Sequence, residues 1–453
     1  MEFIFWILNK AQTNSMKHPI TDKTKASSII SKSTALCFFC LAILLSWQPV
    51  HAEQHQAPAS DEQTQTDKLA VQQPEDHLDK GWLPKSVQIH GFLSQGLIHT
   101  SNNNFFGHSD DSVSFDFREI GLNGSWRVIP NLQLAVQLVY RDAGKTDDLG
   151  VRVDYGLADY SFYSTESTLL GIRAGRVPTP FGIYNDTRDV ASTRPGILLP
   201  QSIYFDVERN SALSADGGYL YGEQRTDYGD FSLHAGVVNP RTTDPDLKNV
   251  IAGPLPGDLE GDTSFVTRFN YEWQSGVVRL AITYADFIVN YKPEGGPVNL
   301  QPGSLKFNPL IFSAQYNAEN WSLTTEYALR RSRFTDFGPL RPDSDTTGES
   351  FYVQGIYHFT PWLQGMVRYD QLIWNRNDRN GEKFAAATGL PAYSRFAKDW
   401  TVGLRVEVLP RMLISAEYHN VNGTGWLSGL ENPVPAQTSK HWNLYMMMIS
   451  YDF

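Results

Sequence analysis

The sequence predicts an all-β fold, a transmembrane antiparallel β-barrel of sixteen strands. Three observations lead there. The chain ends in Leu444-Tyr-Met-Met-Met-Ile-Ser-Tyr-Asp-Phe453, where Tyr445, Met447, Ile449, Tyr451 and Phe453 alternate onto one face. A strand running to the last residue must pair on both sides or leave a raw edge, and in a bilayer only ring closure removes that edge. From Lys85 onward apolar and polar residues alternate in segments of about ten, and the connections between segments alternate short and long. Finally, no apolar run of about 18 residues follows the N-terminal segment, so no helix spans a membrane, while aromatics reach 13%.

Residues 1–52 read as a signal peptide. Lys17, Lys23, Lys25 and Lys32 precede an apolar core, Ala35 to Leu45, and Val50-His51-Ala52 has the small-x-small spacing of a cleavage site. The apolar core is too short to span a bilayer of about 30 Å. Met16 is an alternative start to Met1. Both cysteines, Cys37 and Cys40, fall in this segment, so the mature chain has neither disulfide nor thiol metal site. Its removal takes away five Lys/Arg and two Asp/Glu, leaving 33 basic and 47 acidic residues and a formal charge of −14. Such a chain is not built for nucleic acid. Residues 53–84 are rich in Gln, Asp, Glu and Pro without an apolar period, and read as a flexible polar periplasmic leader.

The barrel domain is expected over 85–453. Short connections fall at 128–131, 164–167, 226–229, 274–276, 318–320, 360–362 and 410–411; long polar ones fall near 100–112, 142–150, 177–216, 239–262, 291–307, 334–348, 375–398 and 422–439. These fifteen connections join sixteen strands and leave both chain ends on the short-turn side. Short periplasmic turns opposite long outer loops are the membrane-barrel pattern. A soluble propeller or sandwich would not segregate turn lengths so. Glycine-rich or bulged patterns blur the period in the first, fourth and sixth strands.

Period two assigns the faces. Val278, Leu280, Ile282 and Tyr284 are expected toward lipid, with Arg279, Ala281, Thr283 and Ala285 toward the lumen; Trp400 to Val408 and Leu323 to Arg330 divide likewise. A one-residue slip would place arginines in lipid at a cost of about 2–4 kcal/mol each near the midplane. Trp126, Trp273, Trp321, Phe359 and Trp362 near short turns, and Tyr140, Trp374, Trp400 and Trp442 near long loops, read as two aromatic girdles.

The longest connection opens with Gly175-Arg176-Val-Pro178-Thr-Pro180-Phe181-Gly182 and follows the fifth strand. It carries Asp186, Arg188, Asp189, Arg194, Asp206, Glu208 and Arg209 around the apolar patch Ile197-Leu-Leu-Pro200. Loops this long are rarely idle. The Gly-Arg-x-x-x-Pro-Phe-Gly stretch, together with the aromatic closing strand that ends in Phe453, resembles the bacterial outer-membrane porin superfamily, in particular phosphate-selective and related substrate-selective porins. The resemblance implies sixteen strands, a third loop (177–216) that narrows the channel, a homotrimer, and a place in the outer membrane of a Gram-negative bacterium. Lysines, on which phosphate-preferring relatives rely, are scarce at the lumen positions here.

By parity Arg141, Arg173, Arg268, Arg279, Arg330, Arg368 and Arg405 project inward, as do Glu119, Glu272, Glu326, Asp370, Glu407 and Glu417. Clustering of Arg268, Arg368 and Arg405 would draw anions across a low-dielectric wall; the bland alternative is strut-like pairs such as Arg268 with Glu272 or Arg368 with Asp370. The expected constriction is Asp186, Arg188, Asp189, Arg194 and Arg209 from the loop, facing Arg268, Arg368, Arg405 and Glu326 on the wall. No catalytic motif appears and no cofactor is expected. Asp258, Glu260 and Asp262 lack the spacing of a calcium loop and read as solvated. The chain is thus expected to be a porin for passive diffusion of small hydrophilic solutes, with a weak preference for anions or organic acids. Its expected partners are outer-membrane lipid, lipopolysaccharide and further copies of itself. The alternatives are a barrel enzyme (lipase or protease) and an adhesin or structural barrel with an occluded lumen.

Overall fold

A computed structural model describes residue 84 and residues 86–147, 150–295 and 299–453. The signal-peptide expectation, and all but the last residue of the expected leader, lie outside these residues. The strands are β1 (Val87–Thr100), β2 (Arg118–Ile129), β3 (Leu132–Asp142), β4 (Val151–Ser164), β5 (Thr168–Pro178), β6 (Ser214–Thr226), β7 (Gly229–Pro240) and β8 (Gly257–Trp273). They continue with β9 (Val278–Pro293), β10 (Gly303–Asn317), β11 (Trp321–Thr335), β12 (Ser344–Thr360), β13 (Leu363–Ile373), β14 (Phe396–Leu409), β15 (Met412–Gly423) and β16 (His441–Asp452). Each pairs antiparallel with the next, and β1 pairs with β16, so the sheet closes into a sixteen-stranded barrel. All seven short connections fall where the turn residues put them.

The last residue extends the closing pair. Phe92 aligns with Asp452 and Thr100 with Leu444. Gly91 and Phe453 then exchange both backbone hydrogen bonds at 2.9 Å. The terminal ring lies over Gly91, where a Cβ would come within 2.3 Å of its Cζ, so only glycine fits beneath it.

The pleat sorts the faces as the alternation requires. Leu280, Ile282 and Tyr284 are exposed on the outer wall while Ala281, Thr283 and Ala285 are buried inside; Trp400, Val402 and Leu404 alternate with buried Thr401 in the same way. Register shifts between Gln137 and Leu138 and between Ser161 and Tyr163 put bulges on both sides of β4, which is why its period is blurred.

Strands overrun the expected loops on the outer side. β8 begins at Gly257 rather than after 262, because ladder hydrogen bonds continue above the apolar band whatever the side chains. Asp258, Glu260 and Asp262 therefore stand on an exposed strand face, with Glu260 paired to Lys292 and Asp262 accepting from Asn290 at 3.0 Å.

The apolar core lies inside the ring. Phe181, Tyr184, Leu199, Ile203 and Tyr204 of the loop after β5 pack on inward Val266, Ala285, Ile311, Ala328 and Tyr352. Ile197 and Leu198 pack with Leu372, Leu444, Met446 and Met448 beneath Phe105, Phe106 and Trp426 of two other outer loops.

Candidate pore constriction

Residues 179–213 connect β5 to β6 and end in a short helix, α1 (Arg209–Leu213). Their polar groups bind inward-facing side chains around the ring. Near the start of the loop, Arg268 on β8 donates to Asp186 at 2.5 Å and to the Gly182 carbonyl at 3.1 Å. Glu326 on β11 accepts from Tyr204 Oη (2.6 Å), Tyr352 Oη (2.9 Å), Ser313 Oγ (2.6 Å) and the Ile183 amide (3.1 Å).

At the middle of the loop, the Glu417 carboxylate on β15 accepts the Ile197 and Leu198 amides at 2.7 and 3.2 Å. His419 links Glu417 to Asp399. Arg368 on β13 donates to the Leu198 carbonyl at 3.0 Å, and Arg405 on β14 to the carbonyls of Ser192 and Arg194.

On the other side, Arg194 reaches Glu119 on β2 at 2.6 Å. Arg141 on β3 joins Glu119, Asp147 and loop residue Asp206 at 3.0–3.2 Å. Arg188 lies 3.7 Å from Asp206, and Arg209 pairs with Asp189, which also accepts from Gln137 on β3.

Seven of the nine residues singled out in the sequence make contacts between loop and wall, while Arg188 and Arg209 pair with carboxylates of the loop itself. Arg268, Arg368 and Arg405 do not share one cluster: they hold residues 182–186, 198 and 192–194 respectively. Neither example strut forms, Arg268 taking Asp186, but pairs of that kind do join neighbouring strands: Glu272 with Arg279 at 3.4 Å and Glu119 with Arg141 at 3.2 Å. Sequence reading gave no role to Tyr204, Tyr352 or the Asp399–His419–Glu417 chain. Inward parity marked the strand members of these groups as lumen residues, but their partners lie up to 220 positions away.

The loop crosses the interior of the ring at this height. Tyr204 binds β11 and Asp206, two residues on, binds β3, the strand opposite in the ring. Arg141, Arg209 and Arg368 have 2% or less of their surface exposed. Toward the short-turn end the inward faces become polar and accessible, with Gln88, His90, Arg127, His358 and Glu407 exposed.

The outer mouth is covered by interlocked loops. Asp244, just before helix α2 (Pro245–Ala252), accepts from Asn210 (2.8 Å) and Ser211 (2.6 Å) of α1. Asp246 accepts from Ser428 at 2.8 Å, and Glu431 from the Gly107 and Lys145 amides. Burial pushes the Asp246 carboxyl up to about 6. Burial, with Asp244 and Asp246 nearby, pushes Glu208 up to about 7.

The closed sixteen-stranded antiparallel barrel is similar in fold to solved outer-membrane channels and porins. The outer membrane channel DcaP of Acinetobacter baumannii is 10% identical, with 81% of this chain and 97% of that one aligned at a TM-score of 0.54. An in-vitro folded OmpT, an outer membrane protein of Vibrio cholerae in trimer form, is 10% identical over 81% and 99% of the two chains (TM-score 0.52). The anion-selective porin from Comamonas acidovorans is 12% identical over the same shares (TM-score 0.51). No protein-family model matches the sequence, and no curated protein matches it.

Proposed function

We propose that this chain is an outer-membrane porin for passive diffusion of small hydrophilic solutes, with organic acids among them, and that the structure is its closed conformation. Residues 177–216 set the narrowest section. The observation behind this reading is the ionic character of the loop–wall seam. A barrel plugged only for strength would gain as much from apolar packing, since buried ion pairs seldom stabilise more than well-packed hydrophobic groups of the same volume. Here Arg141, Arg194 and Arg268 meet carboxylates across the seam. Such a seam can hydrate and part. Arg330, Arg368 and Arg405 have no carboxylate within ion-pair distance among the described residues, and supply a weak anion preference once water enters.

In this reading the chain is exported through the periplasm, carries the leader 53–84 there, sits among lipid and lipopolysaccharide, and assembles as a homotrimer. A structural barrel with a permanently occluded lumen is the second reading, favoured by the Tyr204–Asp206 bridge between opposite strands. Planar-bilayer recordings of the folded full-length protein separate them. Step conductances in the wild type, larger after Glu326→Ala or Glu417→Ala, support the channel. A correctly folded barrel that stays silent in all three forms belongs to the second reading.

A further inference from the structure

Arg330, inward on the outer half of β11, is 4% exposed. Its guanidinium lies 4.9 Å from the Phe205 ring and 5.4 Å from the Trp374 ring. No carboxylate comes within ion-pair distance among the described residues, and its Nε and Nη2 are buried and donate to nothing. These two atoms form the side-on fork of the guanidinium, two parallel N–H bonds that match the two oxygens of a carboxylate. Every other loop-facing guanidinium named above binds a carboxylate or a main-chain carbonyl; this one is held by aromatic faces alone.

Phe205, Trp374 and Glu208 around it are partly exposed, so water reaches the groups beside the fork though not its two donors. Trp374 is fixed by its Nε1 bond to the Gly425 carbonyl at 2.7 Å, and its ring also lies 5.6 Å from Arg395. Nη2 rests over Gly348, where a Cβ would come within 3.3 Å, so the site depends on that glycine.

We propose that Arg330, between Phe205 and Trp374, binds a small organic monocarboxylate entering from the outer face. The assignment rests on the channel reading for its biological meaning, but not for its test. Both donors are out of solvent contact in this conformation, so occupancy requires the Phe205 ring to swing aside. The new fork-to-carboxylate bonds offset that movement. Glu208 and Asp370 lie within electrostatic reach of Arg330 and disfavour a multiply charged anion, so carboxylate is the better fit than phosphate.

The test is calorimetric titration of the full-length, detergent-folded barrel with sodium benzoate and, separately, with inorganic phosphate. The proposal expects saturable benzoate binding, weaker phosphate binding, and a loss of about tenfold or more in benzoate affinity for Arg330→Gln. Arg330→Lys keeps the charge but loses the fork, and is expected to bind nearly as poorly. Arg279→Gln at the exposed short-turn rim is expected to bind as the wild type does. Absence of saturable benzoate binding, tighter phosphate binding, or wild-type affinity in folded Arg330→Gln would each overturn it. Conductance recorded in parallel keeps the readings apart: a conducting barrel without the site loses only this proposal, and a silent barrel that binds benzoate loses only the channel.

Discussion

Gly91 and Glu326 show how much rests on single residues. Gly91 leaves room for the terminal Phe453 ring, and its main chain makes the last ladder bonds of the closing pair. Gly91→Val is expected to push the ring off and destabilise the barrel by about 1–3 kcal/mol, the usual cost of overpacking. A lower unfolding temperature in the heat-shifted gel mobility of the folded barrel would register it; an unchanged one would mean that β1 and β16 close without the terminal ring. Glu326 gathers four donors from two neighbouring strands and the loop. Glu326→Ala leaves buried hydroxyls unpaired at about 1–3 kcal/mol each, a cost borne mostly by the loop. Larger conductance with near-normal barrel melting is the expected pair of results.

Between elements, the outer loops form a lid with its own titration. Asp246 and Glu208 are raised to about 6 and about 7, so the closed lid holds more protons than an open one. Its stability is therefore full below about pH 4 and lost as pH rises through about 6 to 7. Hydrogen exchange of residues 244–253 and 428–432 should accelerate from pH 5 to pH 8 beyond the intrinsic chemical rate, and Asp246→Asn should flatten most of that rise. Equal protection at both pH values would assign these carboxyls no part in holding the lid. The elements themselves were largely legible. Tight turns such as Pro410-Arg411 and Thr360-Pro-Trp362 are local, and period two is local. The outer ends of strands were not, because polar residues such as Asp258 and Glu260 look like loop in sequence while the backbone ladder continues beneath them.

For the whole molecule, the proposed channel carries a prediction about charge. Neutralising Arg268, Arg368 and Arg405 together is expected to move the reversal potential in a salt gradient toward cations, most through Arg268, whose loss leaves Asp186 unpaired. An unmoved potential would assign the three to loop anchoring alone. The inward parity and loop position of the nine candidate residues could both be read along the chain. Their pairing could not, since Arg194 with Glu119 or Tyr204 with Glu326 joins positions 75 and 122 residues apart across the lumen. By itself the sequence determined the strand count, the two faces and ring closure, because each follows from alternation and turn length between neighbours in the chain. Only the tertiary structure decided that the loop spans from β3 to β11, because that depends on which side chains meet across space, where chain order carries no distance.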